Sequence, residues 1–115
     1  MFTATVIVTS GLALVALGSA IGKLTRQPMV VDMLTGLGVP TTWLPRLAAA
    51  ELAGGVGLVV GLAVAWIGIA AAAGLTLYFV GAAATHIRAH DSAIAPPALL
   101  AVVAIAALVL RIASA

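Results

Sequence analysis

Polar side chains are sparse along this chain and they come in clusters. Residues 2–22 carry no charge, and Lys23 closes the run. Crossing a hydrocarbon core takes about 20 apolar residues, so this run predicts a first spanning helix over about 2–23. The next long apolar stretch, 47–87, lies between Arg46 and Arg88 and has Glu51 as its one charged residue. As a single straight helix it would run about 60 Å, twice the core thickness. It must therefore fold back once. Trp66, a residue suited to the membrane interface, and Gly68 place that turn at 64–67. The pattern then predicts helices over about 43–64 and 67–89. The stretch "HDSAIAPP", 90–97, is the next polar break. Two prolines in series suit the first turn of a helix, here one over about 96–113.

A different pattern fills the gap between the first two spans, "TRQPMVVDMLTGLGVPTTWLP". Val30, Met33, Leu34 and Leu37 follow the i, i+3, i+4, i+7 stripe of one helix face. Pro28 can open that helix, and Gly36, Gly38 and Pro40 can end it. A short helix over about 28–37, lying in the interface, is expected, either as an amphipathic connector or as a lid over a cavity. The fold class that follows is all-α membrane, a four-transmembrane-helix antiparallel bundle with a short interfacial helix between helices 1 and 2. One domain covers residues 1–115. Gly18 with Gly22 and Gly57 with Gly61 match the GxxxG spacing that lets helix backbones approach closely. In a chain this rich in Ala and Gly, helix packing accounts for both pairs, and a homo-oligomer stays open.

Composition points the same way. The chain is 64% hydrophobic and 7% charged, with a mean hydropathy of +1.32. A soluble domain carries roughly a quarter charged residues. The net charge of +2 includes no basic stripe, which excludes a nucleic-acid partner. With no cysteine there is no disulfide, thiol chemistry or iron–sulfur ligation. The leading "MFTAT" has no Lys or Arg, so the first apolar run reads as a retained helix, not a signal peptide. Heavy use of Ala, Val and Gly with a single Lys points to a GC-rich bacterial source.

Four antiparallel spans gather Lys23, Arg26, Asp32, Arg46, Glu51, His86, Arg88, His90 and Asp91 at one face. The other face keeps Arg111 and the amino terminus. By the positive-inside rule the charged face, with both long loops, is cytoplasmic and the termini lie outside. Because each Cα–Cβ bond tilts toward its helix N-terminus, Glu51 leans toward the polar face while Lys23 and His86 lean inward. The three can converge. Glu51 lies roughly 8 Å below Arg46 on a helix, a depth at which a carboxylate faces the bundle interior and marks a site or a buried ion pair. Arg88, two positions from His86, points away from it and suits snorkelling. Arg26, Asp32, His90 and Asp91 read as solvated loop residues, and Arg46 as an interfacial anchor. His86 and His90, at i, i+4, would need Asp91 or Glu51 as third ligand to hold a metal. No metal and no intrinsic cofactor are expected, and one chain without further His cannot supply two haem ligands from separate helices.

The motifs "GKL" (22–24), "GLGVP" (36–40), "ELAGGVGLVVG" (51–61), "THIR" (85–88) and "APPALL" (95–100) occur in the order seen in DoxX-like membrane proteins, which the chain resembles over nearly its whole length. The resemblance implies a small four-helix membrane protein. The family name comes from a subunit associated with thiosulfate:quinone oxidoreductase. Other relatives are linked to redox complexes, and distant eukaryotic ones to cargo export or receptor assembly. Lys23, Glu51, His86 and Arg88 match the family's polar positions, which makes them the candidate ligand-binding residues, with Glu51 and His86 the candidate catalytic pair.

Four functions fit these residues. A redox-associated subunit of the bacterial cytoplasmic membrane would bind a quinone or similar lipophilic small molecule beside membrane lipid, its electrons coming from a redox partner protein. A cofactor-free enzyme would use Glu51 and His86 as acid and base in isomerisation, cyclisation or epoxide opening of a lipophile. A small multidrug exporter would have similar length, but such proteins carry their glutamate in the first helix, and helix one here has no acidic residue. An assembly or structural subunit would dock a partner on the polar face.

Overall fold

A computed structural model describes residues 1–91 and 94–115. Its elements are α1 (Phe2–Leu24), α2 (Pro28–Gly36), a 3-10 turn (Thr41–Trp43), α3 (Leu44–Gly61), α4 (Ala65–Arg88) and α5 (Ala95–Ala113). Strands are absent among the described residues. Helices α1, α4 and α5, and α3 with its leading turn, are long and apolar enough to cross a membrane. Their exposed large side chains, among them Leu14, Leu77, Val102 and Val109, suit lipid contact. The chain is a multi-pass membrane protein.

The four spans form a ring in the order α1, α3, α4, α5, with α1 and α4 on opposite corners. The core is made of small and medium residues: Ala13, Ala16, Ala72, Ala101, Ala104 and Ala107 beside Leu12, Leu58, Leu75 and Phe79. Lipid tails are as apolar as these side chains, so association comes from close van der Waals packing, which alanine and glycine permit. Gly61 and Gly68 show this at its tightest. A Cβ built on Gly61 would run into the backbone of Gly68. This contact clamps the α3–α4 turn, which falls at residues 62–64, earlier than the expected 64–67. Trp66 is in the first turn of α4, outside the connection. The two GxxxG pairs differ in role. Gly57 faces Ala71 of α4, whereas Gly18 has no neighbour within 4 Å of where its Cβ would stand.

Three helices end at the polar face in the same way. Gln27 N–H donates to Gly22 O (3.1 Å), Val39 N–H to Leu34 O (2.9 Å) and Asp91 N–H to His86 O (2.9 Å). Each closes a six-to-one loop across a residue with positive φ: Arg26 (52°), Gly38 (79°) and His90 (56°). This is the Schellman geometry that a glycine usually serves. Two of the three positions here carry a side chain, so glycine spacing does not announce them. Proline opens the helices that follow: Pro28 in α2, Pro45 in α3, and Pro96 and Pro97 in α5. The expected polar break at 90–97 includes residues 92 and 93, which lie outside the described residues.

At the far end Arg111 is buried, not a free flanking charge. Its Nε donates to Gly61 O at 2.8 Å and its Nη1 to Ser114 Oγ at 3.1 Å, and its guanidinium stacks on Phe2 at 5.5 Å. The last carbonyls of a helix lack intrahelical donors. Arg111 reaches diagonally across the bundle to satisfy one of them. Thr5 Oγ1 completes the cluster with bonds to Leu110 O and Ser114 Oγ.

Candidate functional site

The polar ends of the four spans and the 28–40 segment enclose a partly open cavity of about 760 Å³. Small-molecule sites commonly span 300–1,000 Å³. Lys23 comes from α1, Glu51 from α3, His86 and Arg88 from α4, and Pro97 and Leu100 from α5. Met33 and Leu34 of α2, with Leu37 to Pro40 behind them, cover it from above. Leu34 is the one buried residue of α2.

Glu51 and Lys23 meet at the cavity wall. Lys23 Nζ lies 2.6 Å from Glu51 Oε1, with the two side chains 9% and 1% exposed. The ammonium also donates to Ser19 Oγ, one helical turn earlier, at 2.8 Å. The distance is that of a charge-assisted hydrogen bond. The opposed Cβ tilts of α1 and α3 produce it: one side chain leans down from the end of α1 and the other leans up from within α3. The second carboxylate oxygen, Oε2, is buried and has no hydrogen-bond partner among the described residues. Tyr78 of α4 lies against Glu51, near enough for its hydroxyl to be drawn toward the Glu51 side chain as a hydrogen-bond donor, and its ring packs edge-on against Phe79, with centroids 5.3 Å apart.

His86 stands apart from that pair. It is buried, and its Nδ1 likewise has no hydrogen-bond partner among the described residues. The nearest carboxylate is Asp91, with Oδ2 at 3.6 Å. The reversal at His90 brings Asp91 back beneath the helix end, so Asp91 is a partner of a buried residue and not the simple solvated loop residue the sequence pattern implies. The same reversal breaks the i, i+4 relation of His86 and His90, because the helix stops at Arg88. Among the described residues no three His, Asp or Glu side chains come together as a metal cluster.

Arg88 is exposed yet contributes to the cavity wall. Its charge therefore stands at the rim, on a different side of α4 from His86. Arg46 is exposed and stacks on Trp43 at 5.4 Å, the behaviour of an interfacial anchor. Arg26 and Asp32 are exposed.

Two contributors escape a reading based on charge alone, and the role of a third, Asp91, is hidden although its charge is not. Ser19 is four residues before Lys23, a spacing that puts both on one helix face. Tyr78 precedes His86 by about two turns and shares its stripe of α4. Asp91 depends on the left-handed residue before it, which leaves no mark in the sequence.

Chemically the site is an apolar cavity with an internally neutralised ion pair at its wall and, among the described residues, two buried polar atoms without a hydrogen bond, Glu51 Oε2 and His86 Nδ1, the latter 3.6 Å from Asp91 Oδ2. A group left in that state is a strong demand for a partner, since an unmade buried hydrogen bond costs about 1–3 kcal/mol. Comparison with known proteins gives one match: the model of the DoxX-like family fits residues 7–109. No protein of curated function and no solved structure matches the chain.

Proposed function

The chain belongs to the DoxX-like family, and on that footing we propose that it binds an uncharged, oxygen-bearing lipophile of the quinone class in the cavity beneath α2, as a subunit associated with a membrane redox system. One observation carries the reading. The Lys23–Glu51 pair lies at the wall of a largely apolar cavity, with one carboxylate oxygen outside hydrogen-bond distance of any donor among the described residues. A purely structural pair would use both oxygens or sit in solid packing. Net neutrality of the pair favours a neutral ligand, and the apolar walls favour one that partitions into lipid. The residues that bind it are Lys23, Glu51 and His86, with Arg88 at the rim. No electron carrier is built into the chain's chemistry, so a redox partner protein supplies or accepts electrons.

The membrane is the bacterial cytoplasmic membrane in this reading. Arg26, Arg46 and Arg88 are exposed at one end, while Arg111 at the other is consumed by Gly61 and Ser114. The positive-inside rule then puts the cavity mouth in the cytoplasm and the termini outside.

A second reading, a cofactor-free acid–base enzyme on a lipophilic substrate, is favoured by one observation. The Lys23–Glu51 pair and His86, whose Nδ1 lies 3.6 Å from Asp91 Oδ2, line the cavity from different helices. Turnover of a candidate isoprenoid epoxide by the purified chain, with neither partner nor redox donor, separates it from the first.

The experiment that tests the first reading is mass spectrometry of small molecules extracted from purified wild type and from a folded Glu51→Gln variant. The expected result is a quinone-class lipophile retained by the wild type at near-stoichiometric level and at a clearly lower level by the variant. Equal, lipid-like background in both contradicts it.

A further inference from the structure

The cavity's polar atoms specify more than a lipophile. We propose that the ligand presents a hydrogen-bond-donating hydroxyl to Glu51 Oε2, so that the favoured form is a hydroquinone or another lipophilic alcohol and not a carbonyl-only quinone. This deepens the binding function proposed above and rests on it.

An ionised carboxylate only accepts hydrogen bonds. Lys23 Nζ donates to Glu51 Oε1 at 2.6 Å and directs a second proton at Ser19 Oγ. Among the described residues no donor lies within hydrogen-bond distance of Oε2, in a side chain that is 1% exposed, and the hydroxyl of the adjacent Tyr78 is the protein group near enough to turn toward Glu51. A quinone carbonyl or an ether placed there sets oxygen against oxygen. A hydroxyl satisfies both groups. A ligand carboxylate, such as a fatty acid, is repelled by the same oxygen. Tyr78, partly buried and facing Glu51, is the neighbour that must turn to admit the hydroxyl. Its own O–H can both donate and accept, so it can bond the newcomer after turning.

The test is calorimetric titration of the purified full chain in detergent with four probes: decylhydroquinone under anaerobic reduction, decylquinone, the dimethyl ether of decylhydroquinone, and geraniol. Hydroquinone is expected to bind about tenfold or more tightly than the quinone or the ether, the value of one hydrogen bond to a charged group. The Lys23→Met/Glu51→Leu double variant, which removes acceptor and counter-charge together, is expected to bind hydroquinone, quinone and ether alike. Glu51→Gln is the second variant, and it narrows the preference because an amide also donates. Geraniol binding that depends on Glu51 would extend the class to aliphatic alcohols, whereas its failure beside tight hydroquinone binding confines the class to aromatic ones. Equal binding of hydroquinone, quinone and ether by the wild type overturns the donor inference and leaves the lipophile site standing. No binding of any probe overturns both.

Discussion

Lys23 and Glu51, on helices separated by the whole 25–43 connection, are joined by a 2.6 Å contact in which both side chains are almost wholly withdrawn from solvent. The contact ties the polar end of α1 to the body of α3. Removing one member strands a buried charge, which typically costs about 3–5 kcal/mol, while replacing both with apolar residues of similar size is often tolerated. Lys23→Met alone is therefore expected to lower unfolding stability in detergent by about 3–5 kcal/mol. Lys23→Met/Glu51→Leu is expected to recover most of that loss. Denaturant titration followed by tryptophan fluorescence measures both, and a single variant as stable as wild type would mean the pair is not closed in solution.

The α3–α4 turn makes a second prediction. A methyl group on Gly61 has no room against the Gly68 backbone, whereas one on Gly18 meets nothing within 4 Å. Gly61→Ala is expected to destabilise by more than about 2 kcal/mol, because backbone must shift. Gly18→Ala is expected to be neutral or to stabilise by up to about 1 kcal/mol through helix propensity. Thermal unfolding of the two variants side by side decides it. Equal effects would remove the distinction drawn between the two GxxxG pairs.

Arg111 joins α5 to the last carbonyl of α3 and lies over Phe2. Arg111→Met keeps the apolar stem and loses the bonds. The expected cost is about 2–3 kcal/mol, the range for a buried hydrogen bond to a charged group. Ligand affinity should be unchanged, since the cavity is at the other end. A parallel loss of binding, seen by titration of the folded variant, would show that the two ends are coupled.

The cover over the cavity rests on little. α2 buries only Leu34 and is bounded by the left-handed residues Arg26 and Gly38. Leu34→Ala is expected to raise amide exchange across 28–38 by about tenfold or more while leaving the exchange of α3 and α5 unchanged. Added ligand should restore protection in the wild type. Exchange that rises throughout the bundle would make α2 a structural strut instead of a cover.

Charge and apolar run length were enough to read the four spans, the short helix and the gathering of polar residues at one face, because crossing a membrane forces long uncharged segments on the chain. The proximity of Glu51 to Lys23 followed from the direction of side chains on antiparallel helices, but the rotation of each helix did not. That rotation is set by which small residues meet, such as Gly55 against Leu17 and Gly54 against Leu75, and in an alanine-rich chain many registers look alike. The turn at 62–64 was placed too late because Trp66 suggested an interface, whereas the Gly61–Gly68 contact draws the helices together sooner. The inward placement of Asp91, read as a solvated loop residue, and of Arg111, read only as a charge of the opposite face, was not legible for one reason. Both look like terminal charges in sequence, and both are drawn inward by backbone geometry: a left-handed His90 in one case and an unsatisfied Gly61 carbonyl in the other.

The central claim is that a lipophile enters the cavity and meets the Lys23–Glu51 pair. Photo-crosslinking with a diazirine-bearing decylhydroquinone, followed by peptide mapping of the full chain, tests it most directly. Labels are expected on cavity residues such as Leu37, Trp43, Tyr78 and Pro97, competed away by unlabelled hydroquinone. Labels spread over Leu14, Val102 and Val109, where bulk lipid would touch the outer surface, and indifferent to competitor, would contradict it.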